Sequence, residues 1–280
     1  MRLLEVITEG ANILKKKNIP NFFLDSEILM GKVLDKKREF IILNQNLEIN
    51  DMDYSKYISL IQKRSFHKPT AYLINSKNFW KNEFYVDKRV LIPRPDSEIM
   101  IEEVLKIINA KKINNILEFG VGSGCIILSI LDEINYLKGI GIDISQKALE
   151  ICKINSKRLN LNNRLKLYKS DIDKFNFGKY DMIISNPPYI NNCEIHKLSK
   201  DVRCYEPSIA LRGGTDGFSV IKKVILKTSK LLKRNGKFIL EIGYKQKKGT
   251  IKLLTSSGFY INRTLKDLGN RNRCIVSTKI

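Results

Sequence analysis

The chain lacks any Cys-x-x-Cys pair, and its two histidines, His67 and His196, stand far apart. Its five cysteines (Cys125, Cys152, Cys193, Cys204 and Cys274) are an odd number without metal-ligand spacing, so neither a metal site nor a disulfide scaffold is expected. No apolar run reaches the length of a membrane span. The opening residues, Met1-Arg-Leu-Leu-Glu-Val-Ile-Thr-Glu9, carry acids inside their apolar stretch, unlike the core of a signal peptide. A cytoplasmic location with no membrane partner follows as the expectation. Repeats and low-complexity segments are also missing. Acidic residues run short at one end: residues 220–280 hold 16 Lys/Arg against 2 Asp/Glu, supplying +14 of the net +21. Such a stretch suits phosphates or an acidic partner. A composition rich in Lys, Asn and Ile, placing Lys at tolerant surface sites, accounts for it equally well.

What remains is ordinary for a globular chain of 280 residues, long enough for one large domain or two unequal ones. Over residues 1–75, Leu3, Leu4, Val6, Ile7, Ala11, Ile13 and Leu14 recur at helical spacing. Past Pro20, Asp25 is placed to cap a helix carrying Ile28, Leu29, Val33 and Leu34, and a further helix is expected from about Asp53 to Arg64. These predict a small helical bundle at 1–75 in a docking or scaffolding role. Residues 76–95 read as a hairpin linker, with Phe79-Trp80 and Phe84-Tyr85-Val86 on its strands. From 96 to 280 strands and helices alternate: strands at Asn114–Phe119, Gly139–Ile142, Leu165–Tyr168, Asp181–Ser185 and Lys237–Ile242, with helices between them. Residues Phe259–Leu265 and Arg273–Thr278 form a final strand pair. This order predicts an α/β, doubly wound, mostly parallel sheet with a C-terminal antiparallel strand pair, and sites at the strand C-termini.

Two strand ends carry the chemistry. Glu118-Phe119-Gly120-Val121-Gly122-Ser123-Gly124 follows the first strand of this sheet and opens a helix. The glycines permit a tight turn and close backbone approach to a ligand. A dinucleotide fingerprint fails, because Cys125 stands where its last small residue belongs. The acid at Glu118 also disfavours a phosphate and favours a cation. Asp143 ends the next strand, 19 residues after Gly124, where a carboxylate can take both hydroxyls of a ribose. Asp171, after the third strand, is placed to meet an adenine amine. S-adenosyl-L-methionine, a sulfonium with no phosphate, fits this set, and a methyltransferase is expected. At the end of the fourth strand stands Asn186-Pro187-Pro188-Tyr189. Asn186 precedes a proline and is held extended, and the prolines contribute no N–H. The loop suits a planar NH2 group: Asn186 Oδ1 and the Pro187 carbonyl accept its hydrogens, while Tyr189 covers its face. Positioning and oriented dipoles then carry catalysis, with no general base required.

The loop alone leaves adenine, guanine and glutamine nitrogens open. Taken with Leu91-Ile-Pro-Arg-Pro-Asp-Ser-Glu98, Ser185-Asn-Pro-Pro-Tyr-Ile190, Asp201-Val-Arg-Cys-Tyr-Glu-Pro207, Ala210-Leu211 and Gly214-Thr-Asp-Gly-Phe218, the chain resembles the HemK family, the peptide chain release factor glutamine methyltransferases. The resemblance spans nearly the whole chain, including Pro69-Thr-Ala-Tyr-Leu73. It implies a class I methyltransferase sheet and methylation of the glutamine in the Gly-Gly-Gln motif of release factors to N5-methylglutamine. It also implies that Gly120, Gly122, Gly124 and Asp143 bind the cofactor, with Glu118, Val121, Ser123, Asp171 and Ile172 beside them. Asn186, which borders both ligands, Pro187, Pro188 and Tyr189 would hold the amide. The family often has Trp where this chain has Ile172, which covers an adenine face without aromatic stacking, worth about 0.5–1.5 kcal/mol between aromatic pairs. The Pro93-Arg94-Pro95-Asp96 turn reads both as a rigid entry to the following helix and as a place for Arg94 at the mouth of the site. Asp201, Arg203 and Glu206, which could equally form a structural charge network, are left out of the site. Release factors are the expected partners of a monomer, with nucleic-acid contact through the basic stretch not required. One rival is a nucleic-acid amino methyltransferase, acting on adenine in DNA or guanine in RNA; residues 1–75 are too nearly neutral and too poor in aromatics for its recognition module. The other is a non-catalytic RNA-binding protein, which leaves the glycine loop and Asn186 unexplained.

Overall fold

Hydrophobic period sets the first elements of the computed structural model, which describes residues 1–280. Leu3, Val6, Ile7, Gly10, Ala11 and Leu14 form the buried stripe of α1 (Leu3–Lys16). The helices α2 (Phe22–Leu34), α3 (Arg38–Leu43), α4 (Asp51–Ser65) and α5 (Thr70–Ile74) follow. Asn50 caps α4 by accepting from the Asp53 N–H at 2.8 Å. A hairpin comes next, β1 (Lys77–Phe79) against β2 (Asn82–Phe84), paired antiparallel. The chain then alternates: α6 (Glu98–Ala110), β3 (Asn115–Phe119), α7 (Cys125–Glu133), β4 (Lys138–Asp143), α8 (Gln146–Arg158), β5 (Leu165–Lys169) and β6 (Tyr180–Ser185). The last elements are α9 (Lys200–Tyr205), α10 (Ser219–Leu231), β7 (Leu232–Glu241), α11 (Lys247–Ser256), β8 (Phe259–Lys266) and β9 (Asn272–Lys279).

The chain divides into two units, Met1–Ser76 with Ser199–Tyr205, and Lys77–Leu198 with Glu206–Ile280. The first is a helical bundle around Leu3, Val6, Leu14, Leu29, Met30, Tyr57 and Ile61. Gly10 lets α1 and α4 come close: a Cβ there would sit 2.0 Å from Tyr57 Oη. Asp25 does not cap a helix. It lies within α2, whose N-cap is Asn21, and is buried with its carboxylate 2.7 Å from Arg64 Nε. Arg64 also reaches Asp201 Oδ2 at 2.9 Å, which ties α9 to this bundle. A buried arginine with carboxylates on two sides is a long-range pairing that local sequence cannot reveal.

The second unit is built on a seven-stranded sheet in the order β5-β4-β3-β6-β7-β9-β8. The first five strands run parallel, and β9 pairs antiparallel with both β7 and β8. Leu117, Phe119, Ile142, Ile183, Phe238, Leu240 and Ile275 are buried in its core. From β3 the chain winds outward to β5, then returns to place β6 on the other side of β3. That reversal opens a crevice beyond the C-terminal ends of β3 and β6, where ligands bind in such sheets. The register aligns Phe119 with both Ile142 and Ser185, so the residues that follow them, Gly120, Asp143 and Asn186, emerge side by side.

Candidate active site

The turn after β3 requires backbone freedom that only glycine supplies cheaply. Gly120, Gly122 and Gly124 take φ values of 73°, 54° and 82°. At Gly124 space is also refused, since a Cβ would meet Cys152 Sγ at 2.6 Å. The resulting loop presents its edge to a cavity of about 470 Å³. Asp143 steadies it, accepting from the N–H groups of Gly122 and Ser145, each at 2.9 Å. Glu118 lies beneath and accepts from the Ile127 N–H at 3.0 Å, within the first turn of α7.

Both carboxyls are costly to ionise where they stand. Burial pushes Glu118 well above the usual carboxylate range, and the charge of Asp143 adds to this, while the Ile127 N–H opposes it. Burial likewise raises Asp143, against the backbone N–H groups of Ser145, Gly122 and Ile144. Four cations line the same cavity, and three of them stand in ion pairs, Arg89 with Asp87, Arg94 with Glu206, and Lys223 with Asp173, while Arg212 is the fourth. A cavity with acids at its floor and three of its four wall cations neutralised suits a cationic ligand bearing hydroxyls better than a polyphosphate. Cys125 lines the cavity too, but burial raises its thiol to about 12, which rules it out as a nucleophile at neutral pH.

Of the residues singled out in the sequence, Glu118, Gly120, Val121, Gly122, Ser123, Asp143, Asp171, Ile172, Asn186 and Pro188 all line this cavity, as does Arg94. Gly124, Pro187 and Tyr189 do not. Gly124 packs behind the loop, and Tyr189 turns its hydroxyl away to Glu241 Oε1 at 3.1 Å. Asp171 caps the short turn Ile172–Lys174 by accepting from the Asp173 N–H at 3.0 Å, which sets Ile172 against the cavity. Glu206 is buried, holding Arg94 at 2.5 Å and the Ile92 N–H at 3.2 Å, so it fixes the Pro93-Arg94-Pro95 turn.

The sequence alone did not reveal Ser97 and Glu241. Asn186 Nδ2 donates to Ser97 Oγ at 3.2 Å, and Ser97 Oγ donates to Glu241 Oε2 at 2.5 Å. Arg273 Nη1 donates to Tyr189 Oη at 3.3 Å, and the same guanidinium pairs with Asp267 at 2.8 Å and Asp96 at 3.0 Å. Glu241 ends β7 as Asp143 ends β4, but the strand expected over Lys237–Ile242 placed it one residue inside the strand end. The signal for Ser97 was its place in the Pro-Arg-Pro-Asp-Ser turn.

Residues 5–74 match the family model described as the PrmC N-terminal domain, and residues 96–202 match the methyltransferase small domain. A release factor glutamine methyltransferase from Clostridium acetobutylicum is 35% identical, over 100% of this chain and 99% of that protein. One from Clostridium botulinum is 36% identical over 100% of both. A bifunctional methyltransferase from Rickettsia bellii is 34% identical over 96% of this chain, which spans only 53% of that longer protein. Among solved structures, a methyltransferase from Pyrococcus furiosus superposes with a TM-score of 0.52 at 18% identity, covering 70% of this chain and 88% of that one. That likeness bears on the fold, and the full-length relatives carry the assignment: the chain belongs to the family of release factor glutamine methyltransferases.

Proposed function

We propose that the chain transfers a methyl group from S-adenosyl-L-methionine to the side-chain amide nitrogen of the glutamine in the Gly-Gly-Gln motif of peptide chain release factors, giving N5-methylglutamine. The observation that carries this reading is Asn186, which lines the cavity with its amide nitrogen tied back to Ser97 and its Oδ1 left to accept. The bound cofactor supplies an electrophilic methyl on a sulfonium. Among the residues that line the cavity, Asp143 would take the ribose hydroxyls, Glu118 would favour the positive charge, Asp171 would meet the adenine edge and Ile172 would cover one of its faces.

An amide nitrogen is a poor nucleophile because its lone pair is delocalised into the carbonyl. Asn186 Oδ1 accepts one of its N–H bonds and the Pro187 carbonyl the other, aligning the nitrogen and favouring the positive charge that develops there. Transfer would break the methyl's bond to the sulfonium sulfur, with the electron pair left on sulfur as a neutral thioether, and would release one of these N–H protons to water, so that the product keeps a single N–H. No histidine lines the cavity. The helical unit of residues 1–76 docks the release factor. No helix is long and apolar enough to cross a membrane.

The test is transfer of labelled methyl groups to recombinant release factor, DNA and RNA in parallel. Label is expected on the release factor glutamine alone, and label confined to nucleic acid defeats the reading. Asn186→Ala should cut the transfer rate by at least about a hundredfold while cofactor affinity stays within roughly threefold. A large loss of cofactor affinity would remove Asn186 from its assigned role.

A further inference from the structure

The two ends of a carboxamide have nearly the same shape and opposite chemistry, so Asn186 can serve a substrate N–H only if something decides which end faces the cavity. Ser97 Oγ, 3.2 Å from Asn186 Nδ2, is itself only 2.5 Å from Glu241 Oε2. We propose that Ser97 and Glu241 are positioning residues for Asn186, an ionised Glu241 fixing the Ser97 hydroxyl as an acceptor toward Asn186 and so holding Asn186 Oδ1 toward the substrate amide. This rests on the methyl-transfer reading above and adds to it the device that orients its main hydrogen-bond acceptor.

The direction of each hydrogen bond follows from the last group in the chain. A carboxylate can only accept, so the Ser97 proton points at Glu241 and its lone pairs are left for Asn186 Nδ2. With Nδ2 committed, Oδ1 faces the cavity. When Glu241 carries a proton it donates instead, and the Ser97 proton is released to point at Asn186. The carboxamide then gains by turning Oδ1 to Ser97, and Nδ2 faces a substrate N–H that needs an acceptor. Two donors opposed across the reacting nitrogen cannot bind it productively.

Glu241 is held on every side. Tyr189 Oη donates to its other oxygen at 3.1 Å, and Arg273 Nη1 backs that hydroxyl at 3.3 Å. The same carboxylate therefore steadies both Asn186 and Tyr189, the two ends of the loop. Asp96, beside Ser97, raises the Glu241 carboxyl by its charge, and Arg273 opposes it. Cys125 and Cys274 complete the neighbours that feel its charge, and burial raises both thiols. Burial likewise raises the Tyr189 hydroxyl. Among these, Glu241 is the group whose carboxyl burial lifts to about 7.

The experiment has two arms. In the first, the Asn186 side-chain 15N–1H2 resonances, assigned by their loss in Asn186→Asp, are followed against pH without substrate. They should titrate with a midpoint within about one unit of 7 in the parent chain and stay fixed in Glu241→Gln. Resonances indifferent to pH in the parent chain, or titrating unchanged in Glu241→Gln, overturn the proposal. In the second arm, single-turnover methyl transfer to the release factor is measured from pH 5.5 to 9. The parent rate should fall tenfold per unit below its midpoint, whereas Glu241→Gln, slower at pH 8, should show no such limb. Ser97→Ala should lose roughly tenfold to a hundredfold in rate, with KM for the release factor and cofactor affinity within about threefold. Ser97→Thr, which keeps the hydroxyl, should restore most of it. A Ser97→Ala loss that Ser97→Thr does not restore, or that takes cofactor affinity with it, marks a packing role and overturns the assignment. If the resonances titrate as stated yet the release factor takes no label, the substrate reading fails and the orienting device stands.

Discussion

At the scale of single residues, Glu241 illustrates how a buried group is used at a cost in stability. Burial dominates its environment and lifts the carboxyl from 4.5 to about 7, although Ser97, Arg273 and Tyr189 all favour the ionised form. Between those two pH values the unfolded chain has lost a proton that the folded chain keeps. The folded state binds more protons there, so stability falls as pH rises through the window and levels off above about 7. A shift of this size is worth on the order of 3 kcal/mol. Glu241→Gln removes the titration, so its stability relative to the parent chain should rise by about that much between pH 4.5 and pH 8. Denaturant unfolding at the two pH values measures it, and an equal difference at both would show that Glu241 does not titrate in that window. The same residue marks a limit of sequence reading. Asp143 was legible because it ends a strand before a polar turn. Glu241 sits inside Phe238-Ile-Leu-Glu-Ile242, so it reads as an interior strand position, and only the observed end of β7 exposes its equivalence to Asp143.

At the scale of elements, legibility followed the number of apolar residues an element buries. The strands β3, β4 and β6 present continuous apolar stretches, and their spans were readable to within about two residues, while the strongly periodic helices α7, α8 and α10 stand between strands as expected. α3 and α5, of 6 and 5 residues, are too short to show a period. α11 buries only Thr250 and Leu254, so it was lost in the basic stretch. β7 begins at Leu232, five residues before the expected Lys237, and its register with β6 shifts between Tyr180 and Met182. Such an irregularity leaves no trace in a one-dimensional pattern. Helix pairing was equally hidden, and Gly10 tests it. Alanine is favoured over glycine in a helix by about 0.5–1 kcal/mol. At Gly10 the added Cβ would lie 2.0 Å from Tyr57 Oη and 3.0 Å from Ile61 Cδ1, inside the packed face of α4. Overpacking of that kind costs roughly 1–3 kcal/mol or more, and with Tyr57 also bonded to Ser26 little relief is available. Gly10→Ala should therefore destabilise the chain by about 1–2 kcal/mol net, read by hydrogen-exchange protection of α1 and α4. Unchanged or increased protection would mean that α1 and α4 do not approach as closely as described.

At the scale of the whole molecule, net charge alone overstates what a partner would meet. Much of the +14 carried by residues 220–280 is offset internally by acids outside the stretch, since Lys222, Lys223, Lys233, Arg263 and Arg273 stand in ion pairs with Asp216, Asp173, Asp181, Glu103 and Asp96. Lys227 and Lys279 donate to backbone carbonyls at 2.9 Å each. What is left concentrates on and before α11, at Lys245, Lys247, Lys248 and Lys252, with Lys245 and Arg271 over the half-exposed ring of Tyr244. A cluster this compact can steer an oppositely charged partner, and steering acts on the association rate and weakens with salt. Reversing Lys245 and Lys248 to glutamate should slow association with the release factor by roughly tenfold at low ionic strength. The deficit should shrink toward nothing near 0.5 M salt, where screening lengths fall to a few ångströms, while cofactor affinity and unfolding midpoint remain those of the parent chain. Stopped-flow association across a salt series provides the measurement. If the variant associates as fast as the parent at low salt, the cluster is solvated surface. The excess of lysine then reflects substitution at tolerant sites, the compositional alternative open from the sequence.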